Sequence, residues 1–261
     1  LESKLKLAKR LDTLPKIVVP VHFTGLPCDM KRIAQLSDEY GFRVIEDASH
    51  ATGARYADND DEELVGNCKY SDATIFSFHP VKIFTTGEGG MVTTNSDEIA
   101  RKVTLLRSHG VTRDAAEMST DKHGGWQYDQ IALGYNYRMT DIQAALGISQ
   151  LSKLDSFLQK RKSIAESYTL HLANNVHVKV PNTKDCMHSA WHLFVVQVAP
   201  EKRKNIYDQL VESKIGVNVH YKPVHTNSYY RNLGFKSGDY PISENLYDTM
   251  ITLPIHTKME K

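Results

Sequence analysis

The sequence predicts an α/β fold organised on a mostly parallel sheet, with a smaller α/β unit toward the C-terminus. Two observations carry this. First, a β-branched run at Lys16–Val21, a helical pattern behind Asp29 and an apolar run at Phe42–Ile45 follow one another directly. Strand, helix and strand in that order make a crossover between parallel neighbours. Second, the pattern restarts after Arg161, with strands at Val176–Val180, Trp191–Val198 and Gly216–Tyr221 around a helix at Glu201–Lys214. The chain therefore divides into residues 1–165 and 166–261.

Each element has a local reason. Leu1–Leu11 reads as an amphipathic helix, already under way at the first residue. Asp29 offers an N-cap, Ile33, Leu36 and Tyr40 recur at helical spacing, and Gly41 is placed to stop that helix. Asp72–Phe78 and Gly90–Thr94 read as strands, separated by His79–Gly89, which is too rich in Gly and Thr for regular structure. Glu98–Ser108 reads as a helix and Val111–Trp126 as a polar loop. Thr140 and Gln143 form a capping-box pattern, and Ile142, Ala145, Leu146, Leu154 and Leu158 predict one long helix behind it.

Bulk properties narrow the function. Thirty-two basic side chains stand against 31 acidic ones, a net charge of +1, which recommends neither nucleic acid nor a membrane surface as partner. No apolar run approaches a membrane span. Cys28, Cys68 and Cys186 are far apart and odd in number, which argues against a disulfide framework or a zinc pair and favours a reducing, cytoplasmic compartment. His22, His50, His79 and His109 fall near strand ends or loops. None shares a ligand spacing with another, so a metal site is not expected.

Two residues carry candidate chemistry. Asp47 directly follows an apolar strand, and ligands in open α/β sheets gather at the carboxyl ends of strands. Position alone better suits an ordinary strand-end Asp that caps a turn. Lys82 leaves the next strand in Ser77-Phe78-His79-Pro80-Val81-Lys82, ahead of Thr85-Thr86-Gly87-Glu88-Gly89-Gly90. Most lysines after a strand are solvated. Here the glycines permit close backbone approach to a ligand, and Ser77 can donate to a phosphate. A lysine partly desolvated in such a crevice loses basicity and becomes nucleophilic.

The segments SFHPVK-x4-GEGG, GYNYRMTDIQAALG and VHYKPVH, with Ile17–Gly25, Val44–Gly53 and Leu106–Arg113, resemble the DegT/DnrJ/EryC1/StrS sugar aminotransferases. The resemblance runs through nearly all of the chain. Within the family it is strongest to enzymes of pseudaminic acid biosynthesis, which act on a UDP-4-keto-6-deoxy-N-acetylhexosamine. It implies fold type I of the pyridoxal 5'-phosphate enzymes, glutamate as amino donor, a nucleotide-sugar acceptor and a homodimer with shared active sites.

By that resemblance Lys82 is the lysine that carries the cofactor. Asp47 pairs with the pyridine nitrogen, His50 lies beside the 3-hydroxyl, and Ser77 binds the phosphate. Asn136 matches an asparagine that reaches the phosphate of the neighbouring subunit's cofactor. Arg138, His220 and Tyr221 sit in segments near the sugar nucleotide; for His220 and Tyr221, strand packing explains the positions as well. The family also carries an earlier segment with a phosphate-binding loop and a ring-stacking aromatic, and a terminal helix after Leu253-Pro254. Neither is found in these 261 residues. Two rivals remain: a cofactor-free sugar-nucleotide binding protein, and a sugar dehydratase of the same family. The dehydratases replace the lysine with histidine, and Lys82 argues against them.

Overall fold

The computed structural model describes residues 1–58, 61–119, 123–181 and 188–259; Cys186 lies outside them. Helix α1 (Glu2–Arg10) leads into strand β1 (Ile17–Val18). Helix α2 (Met30–Tyr40) begins where the Asp29 carboxylate accepts the Arg32 N–H at 3.0 Å. It ends at Gly41, whose φ of 75° is the left-handed stop expected of glycine. Strand β2 (Arg43–Asp47) then runs parallel to β1.

A hairpin of β3 (Arg55–Asp58) and β4 (Asp61–Leu64) precedes β5 (Ala73–Ser77), which lies parallel to β2. Strand β6 (Gly90–Thr93) returns antiparallel to β5, giving the sheet order β1-β2-β5-β6. The sheet is thus parallel except at this edge. Alternation along the strands sorts its two faces. Val44, Glu46 and Thr74 point into the first core and are at most 1% exposed. Asp47, Ile75 and Ser77 lie on the opposite face with Ile17 and Val19, which are 51% and 52% exposed.

Helix α3 (Asp97–Leu106) follows. The segment read as a polar loop contains β7 (Val111–Thr112), paired with β8 (Asp129–Gln130); two-residue strands are too short for periodicity to register. The Thr140–Gln143 capping box forms as expected. The helix behind it is not continuous, however. It divides into α4 (Asp141–Leu151) and α5 (Leu154–Leu172), with Lys153 at φ −105° and ψ 0° between them. The break splits the apolar stripe. Leu154 and Leu158 pack onto the first core, whereas Ile142 stays 84% exposed.

The second core gathers Ile164 and Ala165 of α5 with Phe194, Val196, Val217 and Ile251. It is built on β9 (Phe194–Gln197), helix α6 (Pro200–Glu212) and β10 (Met250–Leu253), which pairs antiparallel with β9; the short α7 (Ser228–Asn232) and α8 (Pro241–Thr249), which packs on α6, lie outside it. The strands expected at 176–180 and 216–221 shrink to single bridges, Lys179 with Gln197 and Asn218 with Thr252. Pro181 has no N–H to continue the first. In the second, the Asn218 side chain takes the Val219 N–H at 2.8 Å and withdraws it from the ladder. Among the described residues no helix is long and apolar enough to cross a membrane.

Candidate active site

The sheet delivers Asp47 and Ser77 side by side. Asp47 ends β2 opposite Ile75, and Ser77 ends β5 two residues further on. The backbone of Asp47 is pinned on both sides, its N–H donating to Pro20 O (2.9 Å) and its carbonyl accepting from His22 N–H (3.0 Å). The carboxylate accepts the Ser49 N–H at 3.0 Å, which leaves acceptor capacity for a ligand. Beneath it, on the opposite face, Glu46 is fully buried and accepts from His22 Nε2 (2.8 Å), Thr74 Oγ1 (3.1 Å), Tyr56 and Ser71. Burial works against this carboxylate, but bonds from His22, Ser71 and Tyr56 outweigh it and hold the group below its ordinary range. Because His22 Nδ1 accepts the Cys28 N–H at 3.2 Å, its Nε2 carries the proton that Glu46 receives.

Lys82 lies on the irregular segment after β5, and buried apolar residues fix that segment. Phe78, Ile83 and Phe84 are 5–6% exposed, and the two phenyl rings meet at 4.7 Å. Phe78 N–H bonds Gly89 O at 2.8 Å, closing the loop at its base. There Gly90 permits the approach: a Cβ on it would stand 2.7 Å from Phe76 O. Lys82 is half-buried, and burial draws its ammonium below the ordinary value, with Asp47 partly opposing.

His50 completes this wall. It is 8% exposed, and burial pushes it down to about 4, helped by Lys82 and His220 and opposed by Asp47. Its Nε2 lies 3.3 Å from the Tyr221 hydroxyl, and its Nδ1 has no partner. His220 Nδ1 bonds Thr252 Oγ1 at 2.9 Å; burial and Lys82 lower its basicity. Lys82, His220 and Tyr221 line one cleft of about 450 Å³; His50 backs it through Tyr221 and His192, and Asp47 acts on Lys82 from the sheet end that also carries Ser77. Asn136 and Arg138 are elsewhere. Both are exposed, and among the described residues no hydrogen bond, ion pair or ring contact links either to the cleft.

Sequence reasoning missed two members of this cleft. His192 is 5% exposed, packs with its ring centre 4.4 Å from that of His50, and is pushed down to about 2 by burial and the surrounding charges. Arg161 is 6% exposed and directs Nη1 at the carbonyls of Trp191, His192 and Ile255 (3.0–3.2 Å). A signal for Arg161 existed: it falls on the helix face of Leu158 and Ala165, where the period calls for an apolar residue. His192 gave none, since it reads as one position of a strand.

A buried imidazole with one unpartnered nitrogen, a half-buried lysine and a strand-end carboxylate fit a ring cofactor with a carbonyl carbon and a basic ring nitrogen. The α/β layers have the architecture of fold type I aminotransferases. A model of the DegT/DnrJ/EryC1/StrS aminotransferase family matches residues 3–261, and the chain belongs to that family. It is 38% identical over 265 residues to the UDP-4-amino-4,6-dideoxy-N-acetyl-beta-L-altrosamine transaminase of Campylobacter jejuni, covering 99% of this chain and 65% of that protein. Among solved structures, Helicobacter pylori PseC, an aminotransferase of pseudoaminic acid biosynthesis, superposes with TM-score 0.86 at 30% identity, covering 98% of this chain and 66% of that one. Streptococcus pneumoniae Spr1654 in its PLP form superposes with TM-score 0.81 at 31% identity, covering 94% and 64%. The chain thus spans a little under two thirds of the length of these relatives.

Proposed function

We propose that this chain carries the lysine-bearing part of a pyridoxal-phosphate aminotransferase that moves an amino group from glutamate to the C4 ketone of a nucleotide-linked 4-keto-6-deoxy sugar. The acceptor that best suits the relatives is a UDP-4-keto-6-deoxy-N-acetylhexosamine of the pseudaminic acid type. The observation that carries the reading is Lys82, half-buried among imidazoles with Asp47 as its acidic neighbour.

Lys82 would hold the cofactor through its amine, Asp47 through the ring nitrogen, His50 beside the 3-hydroxyl and Ser77 at the phosphate. When bound, pyridoxal phosphate supplies an electron sink for the donor's α-carbon. Asp47 keeps a proton on the ring nitrogen, as a carboxylate does and an amide cannot. Lys82, its basicity lowered by burial, takes the proton from the α-carbon of the donor as a free amine. His50 stays neutral near pH 7 and so adds no second positive charge there.

Asn136 fits a role across a two-fold interface. It is exposed between Tyr135 and Tyr137, whose rings stack at 4.8 Å, and near Leu133, 90% exposed. Aromatic and apolar residues left open in this way suit burial against a second copy. Arg138, His220 and Tyr221 would contact the nucleotide sugar. We place the division of the chain at residues 165 and 166, within α5, and the protein in the cytoplasm, on its free cysteines Cys28 and Cys68.

Borohydride reduction of the protein loaded with pyridoxal phosphate, followed by peptide mapping, tests the reading. Pyridoxyl label on Lys82 supports it, and label confined to another lysine ends it. A colourless protein that takes up no cofactor would favour the sugar-nucleotide binding alternative. Turnover against a panel of UDP- and dTDP-linked 4-keto-sugars then fixes the acceptor.

A further inference from the structure

Four buried side-chain atoms among the described residues lack any hydrogen-bond partner: His50 Nδ1, Arg161 Nε, Ser163 Oγ and His192 Nδ1. Such atoms are scarce in folded proteins, so a group of them at one place calls for a reason. Three belong to one contiguous set. The His50 and His192 rings are in contact, tilted at 43°, and Arg161 Nη1 donates to the His192 carbonyl. His50 has its place in the cofactor reading above; Arg161 and His192 have none.

Both line the cleft that also holds Lys82 and His220, and no residue lining that cleft is acidic. Arg161 is a buried cation without a counter-ion. Among the described residues it forms no ion pair, and its only hydrogen bonds are three shared from Nη1 to carbonyls. Burial alone pushes it down to about 10, so it is still charged at neutral pH. A buried charge left uncompensated is costly, and an anionic ligand relieves that cost. Lys82, Arg161 and His192 line this one cleft, where burial first and then the neighbouring charges hold His192 below its ordinary range.

We propose that Arg161 and His192 form a carboxylate subsite beside Lys82, which receives a carboxylate of the amino donor and of the 2-oxo acid it becomes. This rests on the aminotransferase reading and adds to it the group that recognises the donor. Arg161 Nε–H and a neutral His192 Nδ1–H offer two donors to a monoanion, and a charge-assisted bond from the guanidinium dominates the pair. Phosphate is the competing anion; in the same reading it is served by Ser77 at the sheet end, which is not among the residues lining this cleft.

Glutarate isolates the subsite, because it has neither an amine nor a carbonyl to react with Lys82 or with cofactor. We would follow the Arg161 Nε–H resonance of the 15N-labelled 261-residue protein, assigned by its loss in Arg161→Lys, during titration with glutarate and, separately, with inorganic phosphate at equal ionic strength. The expected result is a saturable shift of that resonance with glutarate and little or none with phosphate. His192→Phe, which keeps the ring, is expected to fold normally and to weaken glutarate several-fold. If Arg161→Lys does not fold, assignment by selective labelling of the wild-type protein still decides the matter. No shift with glutarate, or an equal shift with phosphate, overturns the carboxylate assignment. Failure of cofactor labelling at Lys82 is a separate readout and would remove the aminotransferase reading while leaving the glutarate result standing.

Discussion

The Tyr221 hydroxyl lies 3.3 Å from Nε2 of His50, a residue 171 positions earlier in the chain. The bond joins the turn after β2 to the segment beside β10, so each half of the chain supplies one side of the cleft. Tyr221→Phe leaves the His50 ring without a side-chain partner at either nitrogen. We expect a loss of about 0.5–1.5 kcal/mol, the net worth of one neutral hydrogen bond. Denaturant unfolding measures it, and an unchanged midpoint would show that the bond does not persist in solution.

Asp47→Asn is expected to fold normally and to lose most turnover, because an amide cannot hold the proton on a ring nitrogen. A second effect is independent of catalysis. Asp47 raises the Lys82 pKa against burial, so its removal lets that pKa fall further. The pH profile for modification of Lys82 by an amine reagent should therefore move to lower pH. A profile that stays in place separates Asp47 from Lys82.

His50 couples stability to pH. Its folded value, about 4, lies below the ordinary 6.5, so the unfolded chain binds the proton more readily. The contribution is present in full above about pH 6.5 and is lost as pH falls toward 4, on the order of 2–3 kcal/mol across that window. Urea unfolding at pH 7 and pH 5 should show a smaller difference in His50→Gln than in the wild type. Equal differences would contradict the assignment.

Glu46→Gln tests the layer beneath Asp47. The carboxylate accepts four side-chain hydrogen bonds, and an amide must turn its NH2 toward at least one donor. The cost should be about 2–4 kcal/mol. A variant as stable as the wild type would mean that water or a rearranged Tyr56 satisfies the site.

The proposed sharing of active sites between subunits predicts complementation. In complete enzyme, Lys82→Ala and Asn136→Ala should each be nearly inactive. In a mixed dimer one site collects both defects and the other neither, so random re-pairing restores roughly a quarter of wild-type activity. If re-pairing restores nothing while Asn136→Ala alone is defective, Asn136 acts within its own subunit.

What was legible in the sequence follows the range of the interactions. Asp29 with Gly41, and Thr140 with Gln143, are decided within a few residues, and the structure forms both as read. Lys82 and Asp47 stood out because strand ends are marked locally by glycine and by loss of apolar pattern. The break at Lys153 and the shortened strands near 179 and 218 were hidden, since they depend on which surface each segment meets. Arg161 and His192 were hidden for the same reason. Arg161 reaches carbonyls 30, 31 and 94 residues away, a relation that no window on the sequence contains.

Helix α5 is one rigid rod of 19 residues, about 28 Å long, whose two ends are embedded in different hydrophobic cores. Leu154 and Leu158 anchor one end, Ile164 and Ala165 the other, and Arg161 fastens the middle to two further segments. Neither half can melt without stripping apolar surface from the shared rod. The described chain should therefore behave as one cooperative unit, with a single thermal transition and its slowest amide exchange along the centre of α5.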